Sequence, residues 1–142
     1  MNQSNEYYMR EALKEARKAG KIGEVPVGAV AVSGGKIIGR GFNRSITDSD
    51  PTAHAEIVAV RKAAKKLGNY RLNGCKIYAT IEPCAMCAGM LVWARISEII
   101  YGAHDPKKMN KKANHRVKAV GGILEKECGS LIQHFFRQKR KK

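Results

Sequence analysis

The chain has 142 residues, enough for one ordinary domain with a buried core and too few to divide comfortably in two. Lys and Arg outnumber Asp and Glu by 27 to 12, and nine of the fifteen net positive charges fall between Tyr101 and Lys142, a lopsidedness that predicts an anionic partner such as nucleic acid at one end. No run of about 18 apolar residues occurs, and Met1 to Arg10 is polar and carries Glu6, which predicts no bilayer span, no secretory signal and a cytoplasmic location.

Residues near Ser4 to Ala19 have helical spacing, with Tyr8, Ala12, Leu13 and Ala16 on one side and Gly20 as the expected stop. Val27 to Val32 and Lys36 to Gly39 are rich in β-formers and flank Ser33-Gly34-Gly35, which predicts a hairpin. Asp50 reads as a cap followed by Pro51 at the first helical position; Ala53, Ile57, Val60, Ala64 and Leu67 then recur at steps of four and three. Lys65 and Lys66 suit the negative end of that helix, and Gly68 lies just outside it. Cys75 to Ile81 reads as a strand, Pro83 to Trp93 as a helix, and Glu98 to Gly102 and the stretch around Arg116 to Val120 as strands. A last helix carries Leu124, Cys128, Leu131 and Phe135 in one stripe, and a basic tail, Arg137 to Lys142, is expected to be disordered. Strands alternating with helices of this length predict a three-layer α/β/α domain, and the tight hairpin makes its central five-stranded sheet mixed.

Four cysteines do not form a disulfide framework in a chain this long. Cys75 and Cys128 sit alone on apolar faces and are expected to be packing residues. Cys84 and Cys87 form a Cys-x-x-Cys, which alone leaves metal binding, redox chemistry and no role all open. His54-Ala55-Glu56 lies 26 residues upstream of Pro83-Cys84-Ala85-Met86-Cys87, and each half opens a predicted helix. One imidazole and two thiolates give zinc three protein ligands, and a catalytic zinc keeps its fourth position for water. Glu56, two residues past His54, would point about 200° away on an ideal helix, but at a first turn side chains converge beyond the helix end. There it can accept a proton from the water and later deliver it to a ring nitrogen and to departing ammonia. Asn43, just before this helix, has an amide suited to reading a base edge or ribose, and equally suits a turn.

The two-part signature resembles the cytidine deaminase-like superfamily, in which one His and two Cys bind zinc and a Glu shuttles protons. The likeness extends through Glu24-Val25-Pro26-Val27-Gly28-Ala29-Val30, Asp50-Pro51-Thr52-Ala53-His54-Ala55-Glu56, Asn69-Tyr70-Arg71-Leu72, Cys87-Ala88-Gly89-Met90 and Asn114-His115-Arg116-Val117. Together these look like the bacterial tRNA adenosine deaminases, from about Glu6 to Phe136. The resemblance implies one deaminase-type zinc-binding domain over residues 1–142 and a homodimer. It further implies conversion of adenosine to inosine at the wobble position of a tRNA anticodon. Carried onto this chain, His54, Cys84 and Cys87 would hold one Zn2+ and Glu56 would be the catalytic shuttle. Asn43 and the backbone of Ala55 would contact a flipped-out base, Asp105 would lie on the loop gripping the flanking nucleotides, and Arg137 would meet phosphate.

Two features depart from the tRNA enzymes. The segment between Asp105 and Asn114 is shorter than theirs and carries Lys107, Lys108, Lys111 and Lys112. Trp93 stands where they typically have His, and Trp93-Ala94-Arg95 looks more like the free-guanine deaminases. The expected substrate is therefore the anticodon stem-loop of tRNA or another single-stranded nucleic acid, with a free base or nucleoside such as guanine or cytosine as the alternative. An idle zinc-stabilised nucleic-acid-binding module is a third reading, against which Glu56 speaks, because structural zinc takes a fourth protein ligand and needs no general base.

Overall fold

A computed structural model describes residues 3–105 and 117–140. The elements in chain order are α1 (Asn5–Lys21), β1 (Gly28–Ser33), β2 (Lys36–Phe42), α2 (Ala55–Leu67), β3 (Lys76–Ile81), α3 (Ala85–Trp93), β4 (Glu98–Ala103), β5 (Lys118–Val120) and α4 (Glu125–Arg140). They form one five-stranded sheet in the order β2-β1-β3-β4-β5. β1 runs antiparallel to both β2 and β3, whereas β3, β4 and β5 are mutually parallel, so the sheet is mixed as expected.

Alternation along the strands creates two cores, because successive side chains leave a strand on opposite faces. Ala29, Ala31, Ile77, Ala79 and Ile99 face α2 and α3, where they meet Ala55, Ala59, Ala63 and Leu91. Val30, Val32, Tyr78 and Ile100 face the other way, onto Tyr8, Met9, Ala12 and Leu13 of α1 and Cys128 of α4. Cys75 and Cys128 are both buried, one in each core, as the sequence predicted. A β-carbon on Gly39 or Gly41 of β2 would run into the backbone of Ala59 or Ala55. These glycines, with the alanines opposite, let α2 lie directly against the sheet and fix the height of its N-terminus.

Several boundaries differ from the sequence-based ones. α1 passes through Gly20 to Lys21 and breaks at Gly23, which has φ 85°, while Ser4 caps its start by accepting from the Tyr7 N–H at 3.0 Å. β2 continues past Gly39 to Phe42 by pairing with β1. α2 does not begin at Asp50-Pro51. Asp50 Oδ1 instead accepts from the Thr52 N–H (2.9 Å) and hydroxyl (2.7 Å), closing an Asx turn, and the helix starts at Ala55. Its other end is as expected, with Gly68 left-handed at φ 66° and donating to Ala64 O and Lys65 O. The tail is helical through Arg140 and not disordered there. The lysine-rich loop and the residues Asn114, His115 and Arg116 lie outside the described residues. No helix among the described residues is long and apolar enough to cross a membrane.

Candidate active site

One edge of the sheet gathers the functional residues. Gly28 starts β1 where β3 ends, with its N–H donating to Thr80 Oγ1 at 3.1 Å. Gly28 also pairs with Phe42, the last residue of β2, and Ile81 pairs with Ala103, the last of β4. α2 follows β2 and α3 follows β3, so both helices open at this edge. His54 and Cys84 are their N-cap residues, with extended backbones and no side-chain capping bond. Each cap side chain is released from its usual local duty and turned toward the other helix.

His54 Nδ1 lies 3.7 Å from Cys84 Sγ and 3.5 Å from Cys87 Sγ. Zinc binds imidazole nitrogen at about 2.1 Å and thiolate sulfur at about 2.3 Å, and a tetrahedral angle of about 109° places such a pair about 3.6 Å apart. Both nitrogen–sulfur separations are therefore those that a shared zinc ion demands, and the donors' chemistry, one nitrogen and two sulfurs, is that of a zinc site. Their ligand atoms all lie within 4.8 Å of one another. Cys87 is fully buried, while Cys84 and His54 are half-buried, so the group is reached from the helix mouths.

The protonation of this group is shared. Hydrogen bonds from Cys87 and His54 pull the Cys84 thiol down to about 3, and the positive ends of α2 and α3 favour the same thiolate. The hydrogen bond to Cys84, followed by burial, pushes Cys87 up. The Cys84 contact also raises His54, against the opposing effect of its burial. Glu56 is only 3% exposed, and burial lifts its carboxyl to about 7. A carboxyl raised toward neutrality beside a group able to hold a metal is suited to shuttling protons. The 200° objection to Glu56 does not apply, because His54 has φ −75° and ψ 155° and stands outside the helix from which the angle would be counted.

The other predicted residues fare differently. Asn43 and Ala55 meet each other: the Ala55 N–H donates to Asn43 Oδ1 at 2.9 Å. Asn43 thus caps α2 from outside, in the place of a cap side chain committed elsewhere, and the Ala55 amide is engaged by the protein itself. Asp105 reaches the same sheet edge, where its N–H donates to Glu82 Oε1 at 3.1 Å. Arg137 is exposed on α4, a helix of the opposite layer, and no described contact brings it to the His54-Cys84-Cys87 group. Two carboxylates were missed. Glu82, which also donates through its N–H to Ala103 O at 2.9 Å, staples the ends of β3 and β4 immediately before Pro83-Cys84. Glu24 is 2% exposed and binds the loop between β2 and α2. Glu24 opens the Glu24-Val25-Pro26 stretch and Glu82 immediately precedes Pro83-Cys84, but partners more than 20 residues away leave no local periodicity.

Comparison with known proteins places this geometry. Residues 2–103 match the family described as the cytidine and deoxycytidylate deaminase zinc-binding region. A tRNA-specific adenosine deaminase of Bacillus subtilis (strain 168) is 46% identical over 148 residues, covering 97% of this chain and 92% of that protein. A solved structure from a study of A-to-I editing by tRNA:A34 deaminases at the wobble position superimposes with a TM-score of 0.83 at 41% identity, covering 88% of this chain and 98% of that one. The guanine deaminase of Bacillus subtilis is similar at a TM-score of 0.71 and 38% identity, over 80% of this chain and 73% of that one. By sequence, fold and the placement of its nitrogen and sulfur donors, the chain belongs to the cytidine and deoxycytidylate deaminase family.

Proposed function

We propose that the protein is a zinc-dependent hydrolase that converts adenosine to inosine in tRNA, at the wobble position of the anticodon, and that it does so in the cytoplasm as a single-domain subunit. The observation that carries the reaction is the His54-Cys84-Cys87 group, with its imidazole at zinc-sharing distance from both sulfurs, beside the buried Glu56. The tRNA substrate rests on the relatives described above. His54, Cys84 and Cys87 would hold one Zn2+, which supplies Lewis acidity that lowers the pKa of water toward neutrality. Glu56 would take one proton from the attacking water and pass it to N1 of the adenine ring, then take the second from the C6 hydroxyl and deliver it to the amino group as it leaves as ammonia. Water is consumed, the C6–N bond breaks and a C6–O bond forms.

Charge supports the larger substrate. Arg17 and Lys21 of α1 and Lys139 of α4 line a groove of about 610 Å³ floored by Leu131 and Phe135. Among the described residues these three cations have no acidic partner, whereas Lys14, Lys18 and Arg40 are paired with Glu11 and Glu15. With Arg137 on the same helix, they suit phosphate, and Asn43 and Asp105 stand at the sheet edge where the flipped base and its neighbours would enter. The test offers purified protein an unmodified tRNA-arginine transcript, single-stranded DNA, adenosine, cytidine and guanine. Inosine should form in the tRNA alone, with apparent affinity falling as salt rises. Deamination of free guanine or cytidine without action on tRNA would favour the free-base alternative.

A homodimer completes this reading. α3 is apolar nearly all round, and its outward face presents Met86, Gly89 and Trp93 at helical spacing. Trp93 is 80% exposed and Met86 38%, too much apolar surface on one short helix to be left to water. A second copy laid on this face would sit beside the helix that bears Cys84 and Cys87. Trp93→Glu should turn the dimer into a monomer by light scattering at micromolar concentration, and a dimer that persists would place the interface elsewhere.

A further inference from the structure

The loop from Asn43 to His54 joins β2 to the metal-binding helix, and its outer part has nothing apolar to hold it. Ile46 is 71% exposed, and Thr47, Asp48 and Ser49 are all exposed. Ser49 has φ 50°, a left-handed conformation that a non-glycine residue keeps only under external constraint. Bonds inside the loop give it shape: Arg44 N–H to Ala53 O at 2.9 Å, Asp50 N–H to Ser45 O at 3.0 Å, and the Arg44 guanidinium to both Asp48 carboxylate oxygens at 3.0 Å. Among the described residues, every hydrogen bond by which residues 45–49 reach beyond the loop ends on Glu24. Its carboxylate accepts from the Ile46 N–H at 3.3 Å, the Thr47 N–H at 2.7 Å and the Thr47 hydroxyl at 2.7 Å.

Glu24 is itself fixed. Its N–H donates to Ala19 O at 3.0 Å at the end of α1, and the segment it belongs to accepts the Asn43 N–H at Val27 O, 3.2 Å. The carboxylate therefore couples the body of the protein to the loop whose two ends are Asn43 and His54. A buried acid is costly unless its oxygens are satisfied, and three donors from a single exposed loop are an unusual way to satisfy one. We propose that Glu24 is a positioning residue for the deaminase reaction: by taking the Ile46 and Thr47 donors it holds the 44–50 loop, and with it Asn43 at the mouth of α2, in the arrangement that admits the substrate nucleotide.

The inference rests on the deaminase reading above, and its test separates the two. Glu24→Gln keeps the side chain's shape but sets an amide donor against the Thr47 donors, whereas Glu24→Asp keeps the acceptors and shortens their reach. With zinc-loaded protein and a tRNA transcript, kcat/KM should fall in the order Glu, Asp, Gln, with Gln down by about tenfold or more at unchanged zinc content. Hydrogen exchange at the Ile46 and Thr47 amides should quicken in Glu24→Gln while α2 stays protected. A merely space-filling role predicts the opposite order, because Gln is the closer isostere. Unchanged exchange at both amides, or quickened exchange with kcat/KM within about twofold of wild type, would overturn the proposal. If Glu24→Gln fails to fold, Thr47→Val, which removes only the hydroxyl donor, should lower kcat/KM in the same direction by about threefold, and no loss would count against the coupling. Wild-type protein inactive on tRNA would sink the substrate reading, while the exchange measurement still decides whether Glu24 holds the loop.

Discussion

Glu56→Ala should retain about one zinc per chain and lose turnover by about a thousandfold, within the range that a positioned proton-transfer group contributes. The atoms able to hold a metal among the described residues are those of His54, Cys84 and Cys87, so removing the carboxylate leaves that donor set whole. What disappears is the one buried acid beside that set able to exchange a proton near neutrality. The same burial sets the expected stability. An acid whose charged form is disfavoured by desolvation weakens the fold when it ionises, so Glu56→Ala and Glu56→Gln should melt at or above the wild-type temperature. Metal analysis, calorimetry and single-turnover deamination check the three parts. Activity within tenfold of wild type would remove the shuttle role, and lost zinc would make Glu56 a ligand.

The layer architecture and the donors His54, Cys84 and Cys87, which the fold brings together, were legible because each rests on local pattern. The strands alternate or run apolar, α4 carries its Cys128-Leu131-Phe135 stripe, and the donors fall in a spacing that few other chemistries use. What was misread was where a local signal had two uses. Asp50-Pro51 has the composition of a helix start and serves equally well in an Asx turn. The helix begins four residues later, because His54 has to stand at its mouth, outside the helical geometry, to face the cysteines. Gly20 reads as a stop, yet α1 runs on to Lys21 before Gly23 breaks it. The basic tail has a disordered composition, but Cys128 and Leu131 hold the helix against the second core and the rest of α4 continues from them through Arg140. Glu24, Glu82 and the Asn43–Ala55 bond were out of reach for a different reason: the first two make contacts between segments far apart in the chain and the third closes a 12-residue loop, and no period or spacing records any of them.

The ligand variants should separate metal loss from packing loss. His54 at the mouth of α2 approaches Cys84 and Cys87 at the mouth of α3, so a zinc ion shared there would tie the two helices together. Cys84→Ala and Cys87→Ala should both lose the metal. At free zinc about a thousandfold above its dissociation constant the bound ion contributes about 4 kcal/mol, which for a chain of this size corresponds to a melting shift on the order of 10 °C. Cys84 is half-buried at a helix mouth, so its alanine variant should melt at the temperature of chelator-treated wild type and respond no further to chelator. Cys87 is fully buried. Its alanine variant should therefore melt lower still, by about 1 kcal/mol for the sulfur removed from the core. Re-addition of zinc should restore wild type alone. A Cys84→Ala protein that keeps stoichiometric zinc, or chelation that leaves the wild-type melting temperature unmoved, would mean that the two sulfurs and the imidazole do not share an ion.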